Sequence, residues 1–134
     1  MITLDTSALV ALLNRRDSHH AAAASAMAAE GGPLVVPAGI LAEVAYLLES
    51  GQGTAALDTF LGDLETGAFS FDCAEEDLPR VRELVQRYSD LPLGFADSVV
   101  VSCAERNGGK VMSFDRRHFD VVAREGTIAV RPER

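Results

Sequence analysis

The chain has 134 residues, 48% hydrophobic and 24% charged, which excludes a disordered chain and suits one globular domain. Its net charge of −8 excludes a protein that grips nucleic acid over its whole surface. The charge is uneven: residues 1–102 hold 5 Lys+Arg against 15 Asp+Glu, and residues 103–134 hold 7 against 5, so a polyanion is expected to meet the C-terminal segment.

Residues 1–4 are apolar and suit a short strand, and the hydroxyls of Thr6 and Ser7 stand where they can cap a helix over residues 8–13. Residues 18–30 are rich in alanine and run unbroken to Gly31-Gly32-Pro33, which predicts a second helix. A second strand follows at Leu34-Val35-Val36, closed by Pro37. Residues 39–49 and 54–64 predict two helices joined by Ser50-Gly51-Gln52-Gly53. This hairpin carries apolar residues such as Leu41, Val44, Tyr46, Leu48 and Leu61 around much of its circumference. The surplus is expected to serve a partner or to be buried in the core.

Residues 68–71 predict a third strand, and residues 75–88 a helix with Leu78, Val81, Leu84 and Val85 on one face and its start near Asp77. Residues 95–107 predict a further helix stopped by Gly108-Gly109, and residues 110–114 and 127–130 a fourth and a fifth strand. Strands that alternate with helices, with few hairpin signals, predict an α/β fold around a mainly parallel sheet covered on both faces, in a single domain over residues 1–134. Cys73 and Cys103 lack metal-site spacing and read as reduced thiols. Neither a leader segment nor a membrane span is legible, so the cytoplasm is the expected compartment.

Four acids, Asp5, Glu43, Asp97 and Asp115, stand in apolar surroundings far apart in the chain. A carboxylate withdrawn from water needs hydrogen bonds, a proton or a cation. Asp5 and Asp115 follow the first and fourth strands, at the carboxyl ends where open parallel sheets bind ligands; each also suits a helix cap. Glu43 has Gly39, Ile40, Tyr46 and Leu47 as helical neighbours, so its stripe is apolar, unless it occupies an edge that reaches water. Asp97 is either an N-cap before Ser98 or, if the helix starts near Leu93 or Gly94, part of the first turn and aimed at the upper edge of the sheet. Convergence of the four would raise at least one pKa or call for a divalent cation, and oxygen-only ligands suit Mg²⁺ or Mn²⁺ better than Zn²⁺. Such a centre activates water and clamps a phosphate oxygen, the chemistry of a phosphodiester hydrolase.

Leu4-Asp5-Thr6-Ser7-Ala8-Leu9, Glu43 in its apolar helix, YSDLPLGFADSVVVSCA over residues 88–104, and Ser113-Phe114-Asp115-Arg116-Arg117-His118-Phe119 together resemble the PIN-domain ribonucleases, above all the VapC-type toxins. The resemblance covers nearly the whole chain in the family's order. It implies a three-layer α/β/α fold with about five strands, and a Mg²⁺- or Mn²⁺-dependent endoribonuclease acting on structured RNA, a tRNA or an rRNA loop. It also implies Asp5, Glu43, Asp97 and Asp115 as an acidic quartet, Asp5 and Asp97 being the firmest metal ligands. Glu43 and Asp115 would bind directly or through water, or orient the water whose in-line attack leaves a 5′-phosphate and a 3′-hydroxyl. Many relatives carry Thr where this chain has Ser113, and either hydroxyl suits water positioning; Thr6 is a candidate to hold Asp5. Asp90 in the same stretch reads as a cap before Leu91-Pro92. A cognate antitoxin and a homodimer are implied as partners.

Arg116, Arg117 and His118 either offset the acids' repulsion of an RNA backbone or form a solvated turn, and Arg15, Arg16, His19 and His20 read as a surface cluster. A receiver-type phospho-signalling module is a rival, with Asp72 as phosphoacceptor, but it lacks an acidic pair after the first strand, and Lys110 begins its strand instead of ending it. A catalytically inactive PIN-like binding domain is a second rival, disfavoured by the presence of all four acids. A Ser/His/Asp hydrolase would need a G-x-S-x-G elbow, which is missing.

Overall fold

The apolar run after Met1 becomes β1 (Ile2–Leu4), and all three of its residues are buried, as a central strand covered on both faces requires. The computed structural model describes residues 1–133. Around β1 it assembles β2 (Leu34–Pro37), β3 (Ser70–Asp72), β4 (Lys110–Met112) and β5 (Ala129–Arg131) into one wholly parallel sheet in the order β3-β2-β1-β4-β5. Seven helices among the described residues flank it: α1 (Thr6–Leu13), α2 (His20–Glu30), α3 (Leu41–Gln52), α4 (Thr54–Glu65), α5 (Leu78–Arg87), α6 (Gly94–Arg106) and α7 (Arg117–Val122). The result is the expected three-layer α/β/α architecture. No helix of the described residues is long and apolar enough to cross a membrane.

The sheet order positions the site. From β1 the chain steps outward to β2 and β3, then returns to β4 on the other side of β1, so the strand order reverses between β1 and β4. That reversal opens a crevice beyond the carboxyl ends of the two strands, where ligands of open α/β sheets bind. Asp5 leaves β1 there, its backbone N–H bonding the Met112 carbonyl at 3.2 Å.

Several boundaries differ from the sequence reading, each for a local reason. The cap of α1 is Asp5 itself, whose Oδ1 accepts from the Ala8 N–H at 2.8 Å, so Thr6 and Ser7 lie inside the helix. Helix α6 starts at Gly94 behind Leu93, which puts Asp97 in its first turn and leaves Asp90 exposed in the preceding loop rather than capping. Asp77 stands at the N-cap of α5 but its carboxylate is drawn away to Arg106 at 2.5 Å. Phe114 leaves the ladder after β4, its N–H turning to Ser7 Oγ at 2.9 Å. Helix α7 was not anticipated, because six residues are too few to display a period, although Phe119 and Val122 bury its inner side.

Helix α6 packs into the core, with Val100, Val101, Cys103 and Ala104 buried, and Ala96, Asp97 and Val100 reach the cleft. The 3-10 turn Ala38–Ile40 that leads into α3 lies directly against it. Close approach needs the missing side chain of Gly39: a Cβ there would meet Val99 Cγ1 at 2.7 Å. Val99 is β-branched and turns aside poorly. Gly39→Ala is therefore expected to destabilise the chain by about 1–3 kcal/mol, read as a lower urea midpoint at unchanged slope.

Candidate metal centre

Asp5 is only 6% exposed, an extreme position for a carboxylate. Its Oδ1 accepts from Ser7 Oγ and the Ala8 N–H, each at 2.8 Å, and its Oδ2 accepts from Ser113 Oγ at 2.6 Å. Burial nevertheless wins: it pushes the Asp5 pKa up to about 6, against the downward pull of Ser113, Ala8 and Ser7, and the Asp97 charge adds to the rise.

Asp97 projects from the first turn of α6 and is partly buried. Its Oδ2 lies 3.0 Å from His118 Nδ1, which holds one oxygen from the far side. Its pKa is raised, first by burial; the hydrogen bond and charge of His118 oppose the shift, and the charges of Asp115 and Glu43 reinforce it. The four acids thus share one field, although they come from the N-cap of α1, from α3, from α6 and from the loop after β4.

All four line a single cleft of about 390 Å³. Glu43, in the first turn of α3, and Asp115 are exposed to it, so they differ from the buried Asp5. The stripe around Glu43 is apolar but only partly core: Ile40 is buried, whereas Tyr46 is 71% exposed and Leu47 is 42% exposed, and Val44 and Leu48 on the adjoining side are buried. Asp17 is a fifth acid on the wall, and its Oδ1 accepts from the His19 N–H at 2.8 Å.

Ser113 is fully buried and lends its proton to Asp5, while its oxygen accepts from the Asp115 N–H at 3.1 Å. Its hydroxyl ties the first acid to the loop of the last instead of facing the cleft, a geometry that does not suit the expected water-positioning role. The residue that holds Asp5 from its own helix is Ser7 and not Thr6. Helix-cap logic applied to Asp5 points to this neighbourhood, since a capping carboxylate reaches back over the residues two and three positions on. Ser113→Ala removes a charge-assisted bond, so the Asp5 pKa is expected to move further above 6 and stability at neutral pH to fall by about 1.5–3 kcal/mol. Carboxyl ¹³C titration by NMR and denaturant melts measure the two effects.

The basic cluster beyond Asp115 is largely committed. Arg116 bonds Asp120 at 3.2 Å and the Pro132 carbonyl, and His118 bonds Asp97, while Arg117 is exposed. Farther back, Arg106 is held by Asp72 and Asp77, and Lys110 by Glu30. Those same pairs disfavour the receiver reading: Asp72 is tied to Arg106 at 2.7 Å and to Asn107 at 3.0 Å on the edge strand, and Lys110 serves Glu30.

Among the described residues, no three His, Cys, Asp or Glu side chains form a ready-made metal cluster. The donors still fit a hard divalent ion: they are all carboxylate oxygens, and Asp5 and Asp97 carry charge at a penalty that a cation would relieve. Mg²⁺ commonly binds through one or two carboxylates and keeps several waters, so a tight cage is not required.

The family described as PIN domain matches residues 2–125. Ribonuclease VapC26 of Mycobacterium tuberculosis is 31% identical over 121 residues, which covers 89% of this chain and 90% of that protein. The fold is shared with VapC20 of Mycobacterium tuberculosis, described as a sarcin-ricin loop cleaving toxin, at TM-score 0.79 and 19% identity over 90% of this chain and 95% of that one. It is shared as well with VapBC2 of Rickettsia felis, solved with a DNA fragment from its promoter, at TM-score 0.70 and 15% identity over 98% of each chain. FitAcB of Neisseria gonorrhoeae aligns at TM-score 0.62 and 15% identity over 97% of this chain and 96% of that one. With the acid-lined cleft at the strand-order reversal, a family match over nearly its whole length and a VapC relative of almost equal extent, the chain belongs to the PIN-domain family, in its VapC-type branch.

Proposed function

We propose that the chain is a Mg²⁺- or Mn²⁺-dependent endoribonuclease, the toxin of a VapBC-type pair, with Asp5, Glu43, Asp97 and Asp115 as its metal-holding carboxylates. The observation that carries this reading is the meeting of four acids from distant segments in one cleft, with Asp5 buried at the expense of its own ionisation. The ribonuclease named VapC26 and VapC20, described as a sarcin-ricin loop cleaving toxin, support RNA as the substrate class, and a tRNA or an rRNA loop is the form we assign.

A bound divalent ion supplies Lewis acidity toward a phosphate oxygen and lowers the pKa of a water. The chain's own side chains divide the remaining work. Asp5 is fixed by Ser7, Ala8 and Ser113, and Asp97 by His118, so both present an orientation set in advance. Glu43 and Asp115 make no side-chain hydrogen bond among the described residues, which leaves them free to orient a water or to complete the ion's surroundings.

The exposed apolar face of the α3–α4 hairpin, with Tyr46, Leu47 and Leu61, is the surface we assign to an antitoxin or to a second copy in a homodimer. The activity is tested by incubating the purified chain with total RNA in Mg²⁺, in Mn²⁺ and in chelator. New 5′-phosphate ends with either ion and none in chelator are expected. RNA left intact with both ions would refute the reading.

A further inference from the structure

His19 and Phe114 lie far apart in sequence, yet their rings stack with centroids 4.8 Å apart and planes 14° from parallel. Both line the acidic cleft, and Phe114 directly precedes Asp115. The pair is anchored at both ends: the His19 N–H bonds Asp17 Oδ1 at 2.8 Å, and the Phe114 N–H bonds Ser7 Oγ at 2.9 Å, the hydroxyl that also holds Asp5. Phe114 is half-buried and the His19 imidazole is exposed.

The electrostatics of the cleft give this pair a task. Its wall carries the carboxylates of Asp5, Asp17, Glu43, Asp97 and Asp115, which repel a phosphate backbone, and the adjacent Arg116 is engaged by Asp120 and Pro132. Groups that need no positive charge then add affinity for an RNA strand beside the reacting phosphate without depending on the exposed Arg117. A nucleobase has an aromatic face whatever its identity, and unpaired bases of RNA loops are taken up on Phe, Tyr, Trp and His rings. We propose that His19 and Phe114 form a base-stacking platform that receives an unpaired nucleobase next to the scissile phosphate.

The proposal rests on the ribonuclease reading of the site and adds its substrate form: an RNA whose base beside the cut is splayed out of the helix. In the wild type, 5′-end mapping of digested total RNA supplies the cut site. A short oligoribonucleotide across that site is then made with an abasic residue at each position in turn, and KM and kcat are measured for wild type, His19→Ala, His19→Leu and His19→Phe. The abasic residue at one position is expected to raise the wild-type KM roughly five- to a hundredfold at little change in kcat. His19→Ala and His19→Leu should show the same rise on the intact oligonucleotide and no further rise on that abasic one, whereas His19→Phe keeps the wild-type pattern.

His19→Leu retains the packing on Phe114, so a folding defect confined to His19→Ala does not obscure the outcome. If His19→Phe fails as His19→Ala does, or if the variants lose affinity equally for every abasic oligonucleotide, the stacking role is overturned. Cleavage by His19→Ala with the wild-type KM overturns the platform alone. Absence of any cleavage by the wild type overturns the ribonuclease reading and the platform with it.

Discussion

Asp97→Asn is expected to lower RNA cleavage in Mg²⁺ by roughly a thousandfold, the consequence of losing about 4 kcal/mol of charge stabilisation in the transition state. Asparagine keeps an oxygen for the His118 bond at Nδ1, so the position of α7 against α6 is retained and the loss reports the missing charge. The same change removes the charge that Asp115 and Glu43 oppose and that raises the pKa of Asp5. In chelator the variant should therefore melt above the wild type, and single-turnover cleavage with paired thermal melts reads both effects. A melting temperature clearly below wild type in chelator would mean that Asp97 serves the fold through His118 instead.

Asp5→Asn separates the cost of the buried charge from its use. The folded pKa of Asp5 is about 6, against about 3.9 for a free aspartate, so the folded state holds the proton more tightly than the unfolded chain does. Stability from this group is greatest below pH ~4, declines as pH rises through the interval to ~6, and is flat above it. The two-unit difference corresponds to on the order of 3 kcal/mol. Asparagine mimics the protonated form and can donate to Ser113 Oγ, which then serves as the acceptor. In chelator, wild type and Asp5→Asn should thus melt alike at pH 4, and the variant should be several degrees more stable at pH 7. Added Mg²⁺ should raise the wild-type melting temperature and leave the variant unmoved. A constant difference between the two proteins from pH 4 to pH 7 would contradict the pKa assignment.

Much of this centre is legible in the chain because strand ends and helix starts have local signatures. Asp5 closes an apolar run and opens a helix, which sufficed to put it at the carboxyl edge of the sheet. Asp97 was ambiguous by one turn, since it is itself a capping residue type while Leu93, the residue before the observed start at Gly94, has no side chain that can cap. Glu43 stood out by its apolar neighbours, but periodicity does not distinguish an apolar stripe facing the core from one facing a partner, and Tyr46 and Leu47 proved exposed.

Features that depend on contacts between distant segments were not legible. The stack of His19 on Phe114 and the bonds of Ser113 to Asp5 and His118 to Asp97 join segments distant in sequence, without any repeating pattern. For the same reason the basic balance of residues 103–134 overstated their free charge: Arg106, Lys110 and Arg116 spend theirs on Asp72, Asp77, Glu30 and Asp120.

We propose one acidic cleft, anchored by Asp5, that cuts RNA with a divalent metal. Its most direct test is a genome-wide map of 5′-phosphate RNA ends in cells induced to make the wild type or Asp5→Ala at equal protein levels. New ends concentrated at a small set of tRNA or rRNA loops with the wild type, and missing with Asp5→Ala, are the predicted result. Identical end maps from the two proteins would contradict it.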